Sequence, residues 1–360
     1  MSKGSFQNYQ HYLPATYIRS FRPKDSLGKN AIYGFVKVDA KKDQIKKVIT
    51  LNATKICGQH RRHTVYIDGK PDNIIEDSFK SLEDAYPDFL MASRTYYTLK
   101  EHFRLLSGKH LFIKKMKNFK YMKVVKVSRL NSYSYIHEVE SSDMKNLVLF
   151  MSRFLCYRLE GMDDYFSSKP MPKLKKIGNL VKDIIKTNQQ YIPSGVFSLK
   201  NEWRTILNII KDGGSFLVSA SEAQKREFFN TIKKMNRYIA MPFLSLNDDG
   251  GVRIYLFSPS FKKPIVSGDF PFIFFNNNKT FSDGCVFTLS PSLALIFTKN
   301  KITIDNKSRE SLSDIISERN VINSKKYIFS NDEERLKFFT KNIEQTFSKS
   351  YKQSTNKQKK

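Results

Sequence analysis

His11 stands just ahead of Pro14, with Arg19 and Arg22 following soon after. An imidazole can take or give a proton near neutral pH, and a guanidinium can clamp a phosphate or carboxylate through parallel N–H bonds. A helix entered at Pro14, where the missing N–H costs nothing, would add its free amide groups and positive dipole end to such an anion site. The plainer reading makes His11 a cap of that helix and pairs Arg19 with a carboxylate. Residue types alone support both.

Carboxylates form a second constellation. Glu76, Asp77, Glu83 and Asp84 fall on one predicted helix, where Glu76 and Glu83 are nearly two turns apart and share a face. Joined by Asp269 from a distant stretch, they could hold Mg²⁺ and activate water against a phosphodiester. A solvated acidic face that balances surplus lysines explains the same pattern. Asp269, just before Phe270 and Pro271, also suits a turn that orders a sheet. No Asp followed by Glu-x-Lys in a strand context marks a nuclease. The candidate catalytic set is therefore His11, Arg19, Glu83 and Asp269, with the metal unassigned beyond the Mg²⁺ that a nuclease would require. Cys57, His60 and His63 are zinc-ligand types at short spacing, but no fourth ligand matches and Arg61 and Arg62 would repel the ion. A basic loop that touches phosphate fits them better.

Positive charge and aromatic rings interleave most densely between Lys109 and Arg129. Lys114, Lys115, Lys117, Phe119, Lys120, Tyr121, Lys123, Lys126 and Arg129 form the candidate nucleic-acid surface, since lysines neutralise phosphates while rings stack on bases. An amphipathic hairpin with its aromatics in the core and its lysines in water would produce the same alternation. Gly213-Gly214 and Gly250-Gly251 lack the strand, lysine and helix of a phosphate-cradling loop. No Gly-x-Ser-x-Gly elbow or kinase signature is present.

The whole chain repeats the bias, with 62 Lys and Arg against 34 Asp and Glu for a net charge of +28. Such a field concentrates anionic partners, nucleic acid above all. Codon bias in an AT-rich genome accounts for Lys outnumbering Arg, but not for the scarcity of acids. Three separated cysteines, odd in number, suit a reducing compartment. The N-terminus has no apolar leader and no stretch approaches the roughly 18 apolar residues of a membrane span. A cytoplasmic location is expected.

The elements that must position these residues follow from periodicity. Tyr17, Ile18 and Phe21 share the buried side of the helix after Pro14. Ala31 to Val38 and Lys46 to Leu51 alternate as a hairpin, and a Thr64 to Ile67 strand meets a turn at Asp68-Gly69. Ile74 to Phe89 has helical spacing, with Ile75, Phe79, Leu82 and Tyr86 on one face. Ser141 caps a helix whose period runs through Met144, Leu147, Val148, Met151, Leu155 and Arg158 and closes at Gly161. Capping boxes at Ser219/Glu222 and Ser330/Glu333 start two more. Between those helices lie strands at Val252 to Phe257, Pro271 to Phe275, Cys285 to Leu289 and Leu293 to Phe297, the last turning into Ile302 to Ile304. The expected class is α+β, with mixed or antiparallel sheet elements from the N- and C-terminal thirds and a largely helical middle. One domain over 9–346 is followed by a disordered basic tail, 347–360.

Three stretches resemble a known family. His11-Tyr12-Leu13-Pro14 with Tyr17-Ile18-Arg19-Ser20-Phe21 is similar to the opening of the bacterial domain-of-unknown-function 4238 family, His-Tyr-x-Pro-x-x-Tyr-Leu-Arg-x-Phe, departing only at Ile18. Ser267-Gly268-Asp269-Phe270-Pro271 resembles its Ser-Asp-Asn-Pro element and Val286-Phe287-Thr288-Leu289-Ser290-Pro291 its Pro-Leu-Ser-Pro element, with departures at Gly268, Phe270 and Thr288. Ile32-Tyr33, Glu76 to Glu83 and the helix with Arg153 and Arg158 fall in the expected order, so the resemblance covers about residues 9 to 346. Some members look like stand-alone antiviral defence genes of bacterial mobile elements, which implies a setting and supplies no reaction. The expectation is a defence effector that engages nucleic acid, with nuclease chemistry as one form of it. A non-catalytic sensor, or an enzyme acting on a small anion such as a nucleotide, are the alternatives.

Overall fold

The computed structural model describes residues 9–23, 28–37, 48–67, 70–107, 135–167, 251–275, 279–302, 304 and 306–341, with single positions between 221 and 237. The Lys109 to Arg129 surface, most of the helix expected after Ser219 and the 347–360 tail lie outside them.

The fold is α+β, and every strand pair is antiparallel among the described residues. Strands β1 (Tyr9–His11) and β4 (Gly58–His60) pair, as do β5 (Val65–Ile67) and β6 (Lys70–Asp72). The expected hairpin forms from β2 (Ala31–Val36) and β3 (Ile49–Asn52), and the chain's last strand β13 (Tyr327–Ser330) and β9 (Ser267–Gly268) extend it to four strands in the order β3-β2-β13-β9. A five-stranded sheet in the order β10-β11-β12-β8-β7 joins Phe272–Phe274, Cys285–Ser290, Leu293–Thr298, Arg253–Phe257 and Ile136–Glu138.

β11 and β12 are buried at every position, which is why they are mostly apolar and show no alternation with exposed polar residues. Their two faces serve two cores. Phe287, Leu289, Leu295 and Phe297 face the main core, while Val286, Ala294 and Ile296 pack with Ile316 on the other side, as the two-residue strand period requires.

The main core is completed by helices α1 (Ala15–Arg19), α2 (Ile74–Asp84), α3 (Tyr86–Ser107) and α4 (Ser142–Arg158), and a short α5 (Asp163–Ser167) follows α4. α1 starts after Pro14 and buries Tyr17 and Ile18, with Phe21 buried just beyond. Tyr17 hydroxyl donates to the Thr288 carbonyl at 2.7 Å and lies 3.0 Å from Ser267 Oγ. Ser20 Oγ and Tyr86 hydroxyl both donate to the Leu289 carbonyl. The three stretches that carry the family resemblance thus meet around one tyrosine.

Five expectations change in the structure. The helix expected over Ile74 to Phe89 breaks at Ala85, although Ile75, Phe79, Leu82 and Tyr86 are all buried. α4, capped by Ser141 as expected, ends at Arg158, and Gly161 sits in the following turn of 3₁₀ helix, where a Cβ would come within 2.5 Å of the Phe270 ring. The last helix, α7 (333–341), is capped by Asp332, whose Oδ1 accepts from Arg335 N, because Ser330 still belongs to β13. Ile302 and Ile304 are not strand residues but pack on the second core. α6 (Asn306–Asn323) went unread because Ser313, Ser317 and Asn320 lie on its buried side, where apolar residues mark a helix.

Candidate functional site

β1 brings His11 opposite Gly58, and the Cys57 carbonyl accepts from Tyr12 N and Leu13 N. Cys57 takes a positive φ of 55° to make that turn. His11 is thereby held at the head of α1, against α2 and α4. Its Nε2 is buried and without a hydrogen-bond partner. Burial holds the imidazole below its usual range; Glu83 and a hydrogen bond to the Thr54 backbone oppose this, while Arg158 and Arg19 reinforce it. The bond to Thr54 places the proton on the other ring nitrogen, so Nε2 presents a bare lone pair at neutral pH. Such a nitrogen can accept a proton or a hydrogen bond.

Beneath it lies Arg158, fully buried, at the C-terminal end of α4. Its Nη2 donates to the His11 carbonyl and to Glu83 Oε1, both at 2.6 Å. The guanidinium carbon lies 4.2 Å from the Phe79 ring centre and 5.2 Å from that of Phe154. Aromatic faces shield a charge that water cannot reach. His63, also buried, brings Nε2 within 3.1 Å of the same His11 carbonyl, and burial together with Arg158 and Arg62 pushes its imidazole well down. Glu76 Oε2 lies 4.0 Å from His63 Nε2 and has no hydrogen-bond partner. Burial pushes the Glu76 carboxyl up to about 7, with Arg158 opposing and Glu83 and Asp77 adding to the rise.

Of the four sequence-predicted catalytic residues, three converge. Glu83 and Arg19 both act electrostatically on His11, and Arg19 Nε donates to Asn30 Oδ1 at 2.8 Å. Asp269 has a different position. Its carboxylate accepts from the backbone N–H groups of Lys325, Lys326 and Tyr327 at 2.8, 2.7 and 3.1 Å, which is the turn-ordering role at the start of β13. Among the described residues no group of three or more His, Cys, Asp or Glu side chains could hold a metal ion, so Glu76, Glu83 and Asp269 do not form the Mg²⁺ site that their types allowed. Cys57, His60 and His63 do not converge either: His63 points to the His11 carbonyl, while His60 lies against the Tyr9 ring.

Sequence reasoning missed Arg158 as the hub, although the signal was present, since it falls on the apolar period of α4. It also missed the cation cluster at that helix's end. Arg62 donates to the Arg158 carbonyl, Arg237 to the carbonyls of Tyr157 and Leu159, and Asp163 pairs with both. These cations meet the negative end of the helix dipole.

Among the described residues no helix is long and apolar enough to cross a membrane. No family model, curated protein or solved structure matches the chain, and the family resemblance rests on the residues quoted for it.

Proposed function

We propose that this chain engages nucleic acid as a cytoplasmic antiviral effector, with His11 as the proton-handling group of a phosphodiester-directed site and Arg19 as its anion contact. The observation that carries this reading is the bare Nε2 of His11 set among Arg19, Arg158 and Glu83. Arg158 is fully buried and binds Glu83 and the His11 carbonyl through Nη2, while Arg19 is only part-buried, so Arg19 is the cation placed to meet a phosphate. The net charge of +28 supports the partner class, and the family resemblance supports the defence setting.

Labelled DNA and RNA, each with and without Mg²⁺ and over a range of salt, test it directly. Salt-sensitive binding is expected, with cleavage lost in His11→Ala and binding weakened in Arg19→Ala. Absence of salt-sensitive binding to either polymer refutes the polyanion claim. Binding without cleavage moves the chain to a recognition role.

The burial of His11 Nε2 also suits a second reading, an enzyme acting on a small anion such as a nucleotide, for which a compact site is the usual arrangement. Turnover of free nucleotides by the wild type, absent in His11→Ala, would select it.

A further inference from the structure

Phe261 is the most exposed large apolar side chain among the described residues, at 88%. It stands at the tip of a tight turn, where Lys263 N donates to the Ser260 carbonyl at 2.9 Å and Phe261 and Lys262 are the central residues. Turn tips ordinarily carry Gly, Asn, Asp, Pro or Ser, so local conformation does not call for a phenylalanine here. Nor is the turn slack. Arg309 donates to the carbonyls of Ser258 and Pro259, Ser313 Oγ to that of Lys263, and Arg335 to that of Pro264. Lys263 is itself paired with Glu310 and Asp314. Both ends of the turn are therefore anchored to α6 and α7, and the ring is held outward at little ordering cost on binding.

Beside that ring, Lys262 Nζ lies 5.9 Å from its centre and is exposed. One flat apolar face with one cation alongside matches one base and its phosphate. Membrane insertion would call for more apolar surface than this tip offers, since its neighbours are Ser260 and Lys262. We infer that Phe261 is a base-stacking residue for single-stranded nucleic acid, with Lys262 as its phosphate contact. The assignment rests on the polyanion reading above and names the strand form that the reading left open.

Trp203 is the one native tryptophan, so Phe261→Trp in a Trp203→Phe background places a reporter at the tip. An unlabelled oligothymidylate should quench its fluorescence, while a blunt duplex of equal length should not. Phe261→Ala should weaken oligothymidylate binding roughly 5- to 100-fold with an unchanged salt slope. Lys262→Ala should reduce that slope by about 0.7. Full single-strand affinity in Phe261→Ala, or an unquenched reporter at saturation, overturns the stacking role while leaving the polyanion reading standing. Failure of the wild type to bind either strand form overturns both. Reporter quenching by anionic vesicles but not by oligothymidylate would reassign the tip to a membrane surface and overturn the inference.

Discussion

Arg158 Nη2 meets Glu83 Oε1 at 2.6 Å, and the same nitrogen reaches the His11 carbonyl at 2.6 Å. One guanidinium therefore ties α4 to α2 and to the strand that carries the candidate histidine. Because Arg158 is fully buried, removal of its partner leaves a charge that water cannot stabilise. Glu83→Ala should cost about 3–5 kcal/mol in chemical denaturation. The double variant Glu83→Ala/Arg158→Met should lose less than the sum of the two single losses. Additive losses would show that the pair is not coupled.

Glu76 sets a pH dependence of definite sign. Its carboxyl rises from 4.5 to about 7 on folding, so between those values the folded state holds a proton that the unfolded chain has released. Its contribution to stability is full below about pH 4.5 and is lost as pH rises through about 7. At about 1.4 kcal/mol per pH unit, up to about 3 kcal/mol is at stake. His11 and His63, both depressed, act oppositely, losing stability as pH falls below 6.5. Wild type and Glu76→Gln should therefore be compared at each pH by urea denaturation, with the variant gaining relative stability from pH 5 to 8. A constant difference across that range would contradict the assignment.

Asp269 should behave as a structural residue. Asp269→Ala deprives three backbone N–H groups of their acceptor and should cost about 3 kcal/mol or more. Asp269→Asn keeps one acceptor oxygen, so it should lose less stability and retain whatever activity the wild type shows. Abolished activity in a folded Asp269→Asn would return the residue to the catalytic set.

Gly268 is held by space. A Cβ there would lie 1.9 Å from Ser324 Oγ and 2.6 Å from the Tyr327 carbonyl, so β9 could not keep its place beside β13. Gly268→Ala should destabilise by about 1–3 kcal/mol, read as a lowered Tm. Adding Ser324→Ala removes the nearer clash but not the backbone one, and should recover only part of the loss.

Much of the fold was legible because it obeys local rules. Pro14 starts α1, Ser141 caps α4, and β2 and β3 alternate as a hairpin. The run from Ile75 to Tyr86 marked a buried face correctly, and the break at Ala85 has its sequence signal in Pro87, which lacks the N–H to continue the first helix and sits instead in the first turn of the next. α6 stayed hidden because its serines and asparagine face inward, where they bond to the carbonyls of Lys263 and Val266 and to Thr288 Oγ1.

By itself, the sequence determined the α+β class, the apolar faces, the surplus of positive charge and the short helix behind His11. Each follows from side-chain type and spacing over a few residues. Tertiary structure alone decided the pairing of every described strand as antiparallel and which charges meet. Arg158 finds Glu83, 75 positions away, and Asp269 finds the 325–327 turn, 56 to 58 positions away. The reason is desolvation: a buried charge takes whatever partner packing brings within hydrogen-bond reach, and sequence separation places no limit on that choice.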